Sequence, residues 1–172
     1  MPLPNAADFA TYFGRYIKLV PEEEILPALR GENERTLAFL RRIPASEEDV
    51  CHPPYTWTIR QVVGHMIDAE RIFAYRALRF ARGDCTPLAS FDELDYVQQA
   101  NFDRRRLTDL AEEWDAVRRS NLYLFASFSE EIWLRRGTAS SQELSVRGLA
   151  YTILGHERHH TTILRSRVPS AA

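Results

Sequence analysis

A chain of 172 residues, 45% hydrophobic and 27% charged, is long enough to bury one sizeable core and short for two, so one domain over 1–172 is expected. The net charge of −2, with Arg and Glu interspersed, gives no electrostatic reason to expect a nucleic-acid or anionic-membrane partner. Cys51 and Cys85 are too few for a disulfide framework, and with neither a leader-type N-terminus nor a bilayer-long apolar run the chain reads as cytoplasmic.

Along the chain, Asn5 is placed to cap a short helix over 6–18, with Asp8 as its acidic partner three residues on. Phe9, Tyr12, Phe13 and Tyr16 give that helix an aromatic face, and residues 1–20 are expected to lie as an arm across the body. Pro21 breaks the chain, and Glu22 to Glu24 put negative charge where the next helix dipole favours it. That helix is expected over 22–43, with Leu26, Leu29, Leu37 and Leu40 on one stripe and Pro44 as its stop.

A proline-containing loop follows, and Thr56 or Thr58 caps a long helix over 59–82 that Gly83 ends. Val62, Met66, Ala69, Phe73, Ala77 and Phe80 form its main stripe, with His65 on the flank. Residues 84–105 form a long connection with a short helix near 92–99, and connections of that length are often functional lids. The helix expected over 107–130 carries Leu107, Leu110, Trp114, Val117, Leu124 and Phe128, with Asn121 in mid-face needing a partner. A loop over 136–141 then leads to a last helix over 142–166.

That last helix carries Gly155-His156-Glu157-Arg158-His159-His160. Residues four apart on a helix lie about 40° apart around the axis and about 6 Å along it, so His156 and His160 can aim at one point. Leu149, Ile153, His156, His160, Ile163 and Arg167 follow the rhythm of a core-facing stripe, while His159 lies at its edge.

Four long amphipathic helices without an alternating strand pattern predict an all-α four-helix bundle. Its interior would bring His65 to meet the histidine pair. Three imidazoles suit zinc, nickel, copper or ferrous iron, and three protein ligands leave positions open for water or substrate. Two motif matches fail in context. His156-Glu157-Arg158-His159-His160 fits the H-E-x-x-H pattern of zinc proteases, but residues 161–172 leave little room for their downstream ligand and no edge sheet is evident. Glu157 with His160 mimics half of a di-iron site, but the second E-x-x-H is missing.

The run from Tyr55 to Arg71, YTWTIRQVVGHMIDAER, resembles the second-helix signature of the DinB-like (YfiT-type) four-helix-bundle family. Gly155 to His160 is similar to that family's fourth-helix signature, and Gly83-Asp84, Pro87-Leu88 and Phe91-Asp92-Glu93 to its connection between helices two and three. The resemblance covers about residues 21–165. It implies an up-down-down-up bundle holding a divalent metal, usually nickel or zinc, on His65, His156 and His160. It further implies kinship with S-transferases and isomerases that use low-molecular-weight thiols such as bacillithiol or mycothiol, and with members called metal-dependent hydrolases.

The leading expectation is therefore a metal-dependent S-transferase or hydrolase acting on a small molecule. Asp68, a turn after His65, is a candidate to accept a ligating imidazole's outer N–H, with a solvated surface role as its alternative. Glu157 is a candidate general base, or else an exposed salt-bridging residue, and His159, Asn121 and Tyr96 are candidate pocket residues. The competing expectation is a non-catalytic bundle, with a structural metal or none, serving binding or dimerisation. The aromatic arm and long lid are compatible with a homodimer.

Overall fold

The last long helix, α7 (Val146–Arg167), is the axis of the protein, and in the computed structural model, which describes residues 3–5 and 8–171, every residue from Val146 to Glu157 is buried. Burial all round marks a central helix rather than the one-sided stripe the sequence predicts. Within that stripe Ile163 is only partly buried, and its neighbour Leu164 is the enclosed one. Ser145 caps the helix, its Oγ accepting from the Gly148 amide at 2.9 Å.

Three other long helices complete the bundle with it: α2 (Ile25–Leu40), α3 (Ile59–Ala81) and α5 (Leu107–Ala126). Thr58 and Gln61 form a capping box that starts α3, and its predicted stripe is buried throughout. In α5 the inward face runs through Leu107, Leu110, Trp114, Arg118, Asn121 and Phe125. Reading by apolarity selects Val117 and Leu124 instead, which are only partly buried.

Helices α2 and α3 each pack on both α5 and α7, so neighbours in sequence sit diagonally. Contacts between ends fix the directions. The start of α3 meets the approach to α5, where Arg60 bonds the Asp103 carbonyl, so these two run parallel. Arg167, at the end of α7, reaches the Trp57 carbonyl just before α3, so α7 opposes α3. Asn33 to Asp115 and Leu29 to Arg118 set α2 against α5. The result is an up-down-down-up four-helix bundle. Among the described residues no helix is long and apolar enough to cross a membrane.

Several expectations are corrected. The arm helix is α1 (Thr11–Ile17), not 6–18, and Ala6 and Ala7 lie outside the described residues. Asp8 does accept from the Asn5 amide at 2.8 Å, but ahead of the helix, whose N-cap is Ala10, and its carboxylate also accepts from Ser145 and Arg147 and its carbonyl from the Ser145 amide. The first long helix is shorter than 22–43. The helix expected over 107–130 stops at Ala126, and Ser129 caps a separate short α6 (Glu130–Leu134).

Residues 136–141 are not a loop. They begin an antiparallel hairpin of β1 (Arg136–Ala139) and β2 (Gln142–Ser145), the small departure from an all-α fold. The long connection is tied to that hairpin, with the Leu88 amide on the Thr138 carbonyl at 2.9 Å and the Ser140 amide on the Leu88 carbonyl at 3.0 Å. Asp92 then caps α4 (Glu93–Ala100), and both Asp92 backbone-bonding and the left-handed Asn101 bound that helix.

Candidate metal centre

The second turn of α3 and the middle of α7 face each other, and their histidines meet. His65 Nε2 and His160 Nε2 each stand 3.1 Å from His156 Nε2, and one donor atom from each ring lies within 4.8 Å of the others. His65 and His156 are buried and His160 half-buried. Tyr16 presents an edge to His156 at 5.2 Å, Phe73 does so at 5.7 Å, and Trp57 tilts over His65 at 5.1 Å. These rings limit rotation of the imidazoles.

Burial pushes the His65 imidazole down to about 4, with His159 adding to the effect and Glu93 opposing it. Burial, followed by the neighbouring imidazoles, holds His156 well below the ordinary histidine value and lowers His160 too. All three rings are neutral at neutral pH and keep lone pairs for a cation. A tetrahedral zinc with nitrogens about 2.0–2.1 Å away holds them roughly 3.3 Å apart, close to the spacing of the two short pairs. Three uncharged imidazoles also make a donor set suited to zinc or nickel. The cluster therefore fits a divalent metal.

Above the cluster opens a cavity of about 420 Å³. Tyr12, Arg15 and Tyr16 of α1 form one wall, Phe73 and Arg76 of α3 another, and Ser90, Phe91 and Glu93 of the connection a third. Gln142 and Ser140 of the hairpin complete the rim. Arg15 stacks on Tyr12 and Tyr16 and donates to both phenols. Burial raises the Tyr16 phenol, with Arg15 opposing, and so keeps it protonated.

The remaining sequence candidates fall differently. His159 is exposed and lines the pocket, its ring 5.0 Å from that of His160, but it is outside the three-nitrogen cluster. Glu157 is neither a pocket base nor an exposed salt-bridging residue. It is fully buried, accepting from Thr36 Oγ1 at 2.6 Å and Arg118 Nη1 at 2.8 Å. Asn121 is turned to Glu70, donating at 3.2 Å, and Tyr96 is exposed against Phe91, so neither lines the histidine pocket. Asp68 is half-buried with Arg71 as its ion-pair partner at 3.8 Å, which favours its surface alternative over a bond to an imidazole.

Arg118 grips Glu70 with two bonds of 2.6 Å and joins it to Glu157. Burial pulls the guanidinium down, but the two carboxylates outweigh it and hold Arg118 above its usual value. Burial pushes Glu157 up to about 7, opposed by Arg118 and aided by Glu70. This network and the histidines together occupy the seam between two apolar clusters, one around Phe73, Phe125 and Leu149, the other around Met66, Trp114 and Leu164.

Sequence reading missed Arg15, Arg76, Glu93 and Trp57 as pocket residues. One signal was available: Arg76 follows His65 by 11 positions (76 − 65), about 20° away around the helix.

Helices that converge three imidazoles beneath an open cavity define a bundle protein with a candidate metal centre. Sequence comparison places it further: the chain belongs to the DinB superfamily, whose family pattern matches residues 28–164. No curated protein matches it. Among solved structures it is similar to YfiT from Bacillus subtilis, described as a probable metal-dependent hydrolase with an unusual four-helix bundle topology. The two share 13% identity over 98% of this chain and 93% of that one, with a TM-score of 0.74, a likeness of fold.

Proposed function

We propose that this protein is a divalent-metal-dependent hydrolase of a small molecule, with His65, His156 and His160 holding zinc or nickel. The observation that carries the reading is the convergence of three neutral imidazoles at the floor of a cavity open to solvent. Three protein ligands leave the ion an open position. A divalent ion held there supplies Lewis acidity, polarising a substrate oxygen and lowering the pKa of a water or thiol.

The chain's own residues do the rest. Trp57, Tyr16 and Phe73 fix the imidazoles and give an apolar bed for substrate. His159, held below the ordinary histidine value by burial and by Arg15, is neutral beside the cluster and placed to take a proton from the attacking group. The protonated Tyr16 phenol is a donor at the same wall.

The test is metal content by mass spectrometry of the wild type, His65→Ala and His160→Ala, followed by turnover of ester and amide panels by the metal-loaded chain. One ion per chain, lost in both variants together with hydrolysis, supports the reading. Metal binding with no hydrolysis, but with metal-dependent conjugation of a low-molecular-weight thiol, would replace it by the S-transferase. No metal, even after incubation with zinc or nickel, would leave a binding module.

A further inference from the structure

Arg76 is 3% exposed, yet no carboxylate pairs with it among the described residues. Its bonds run through Nη2 alone, at 2.9 Å to the Ala89 carbonyl and 2.9 Å to Ser140 Oγ, both neutral acceptors. The other buried arginines behave differently: Arg118 holds two carboxylates and Arg147 holds Asp8. Arg167 also lacks a carboxylate, but it is stacked on Tyr55, bonded to two loop carbonyls and absent from the pocket wall. A buried charge without a counter-charge is costly. Arg76 bears that cost on the wall of the histidine cavity.

The cavity's charge points the same way. Apart from its histidines, the wall carries the guanidiniums of Arg15 and Arg76 against the single carboxylate of Glu93. A divalent ion would add to that positive excess. Phe73 spans the gap: its ring lies 5.7 Å from the His156 ring and 6.0 Å from the Arg76 guanidinium carbon. Imidazole and guanidinium are thus within about 12 Å, with an aromatic floor between them. Phe91, 5.9 Å from the same guanidinium carbon, faces that floor from the connection.

Resting on the metal-centre reading above, we propose that Arg76 is the anion-binding residue of this pocket and that the substrate is an elongated carboxylate. Its apolar or aromatic body lies over Phe73, its carboxylate pairs with Arg76, and its reacting group reaches the histidine end. The connection and hairpin position the guanidinium through Ala89 and Ser140.

The probes are 4-(mercaptomethyl)benzoate and its neutral amide, titrated into the full chain loaded with cobalt(II). The sulfur-to-cobalt absorption band reports binding, and thermal melts check that each variant is folded. The wild type is expected to bind the benzoate at least tenfold more tightly than the amide. In Arg76→Gln that preference should fall below twofold, with amide affinity unchanged, and Arg76→Lys should keep part of it. Equal affinities in the wild type, or an undiminished preference in Arg76→Gln, overturn the proposal. If neither probe gives the band, the metal reading fails instead, and calorimetry of the same pair on the metal-free chain decides. There a benzoate preference that Arg76→Gln abolishes upholds the anion site, and its absence overturns it.

Discussion

Gly155 and Tyr16 touch through their backbones: a Cβ built on Gly155 would stand 2.1 Å from the Tyr16 carbonyl oxygen. Seven positions earlier, Gly148 gives the same close approach to the Asp8 carbonyl, at 2.5 Å. Two glycines on one face of α7 thus make the groove in which the arm lies. Backbone on both sides leaves no flexible side chain to yield. The arm reaches the pocket because this groove exists, and it brings Tyr12, Arg15 and Tyr16 with it.

Gly155→Ala should accordingly cost about 3 kcal/mol, near the top of the usual overpacking range. For a chain of this size that lowers the melting temperature by roughly 6–12 °C. Gly31→Ala is the control: its added Cβ meets only the Arg35 guanidinium at 3.5 Å, inside α2. It should raise stability by up to about 1 kcal/mol. Differential scanning calorimetry of the two variants compares them directly.

The buried network gives a second expectation. Arg118→Met leaves the carboxylates of Glu70 and Glu157 facing each other without a cation, and should cost about 3–5 kcal/mol in urea unfolding. Replacing all three by apolar residues of similar volume should cost less than Arg118→Met alone, since no buried charge is then left over. A triple variant less stable than the single one would contradict this.

Asp8 supplies the pH-dependent case. Burial raises its carboxyl, but the Asn5 amide and the bonds from Arg147 and Ser145 outweigh that and hold it below 3.8. In acid the unfolded chain takes up the proton first. The contribution of Asp8 is therefore fully present above about pH 5 and lost as pH falls through 3.8 and then through the lower folded value. Asp8→Asn should lower the urea midpoint at pH 7, and the gap from wild type should narrow on going to pH 3.

A cation that binds only the folded chain stabilises it by mass action. Zinc at about 100 times its dissociation constant adds about 2.7 kcal/mol, which corresponds to roughly 5–10 °C for this length. His160→Ala should show little of that rise. An equal rise in the variant would place the ion elsewhere.

How much of this was legible follows from where each signal lies. The capping box and stripe of α3 are local, and Thr58 through Phe80 could be read from spacing alone. The pairing of His65 with His156 and His160 needed only that two helices face each other. The hairpin was hidden because its strands have four residues each and its turn uses Ser140 and Ser141, at φ 53° and 58°, where an Asn-Gly pair would have announced it. Glu157 was misjudged because its partner Arg118 comes from another helix, and an arginine in mid-helix reads as solvent-facing until a carboxylate is found for it.

Because α3 and α5 run in the same direction, the chain must travel back along the bundle between them, and residues 84–105 make that return past the histidine cavity. Ser90, Phe91 and Glu93 shape the cavity from a segment that carries none of the four long helices. Variation there can reshape what the cavity accepts while the imidazoles stay fixed on α3 and α7. Such a division lets the wall of the cavity change shape without disturbing the helices that hold the histidine cluster.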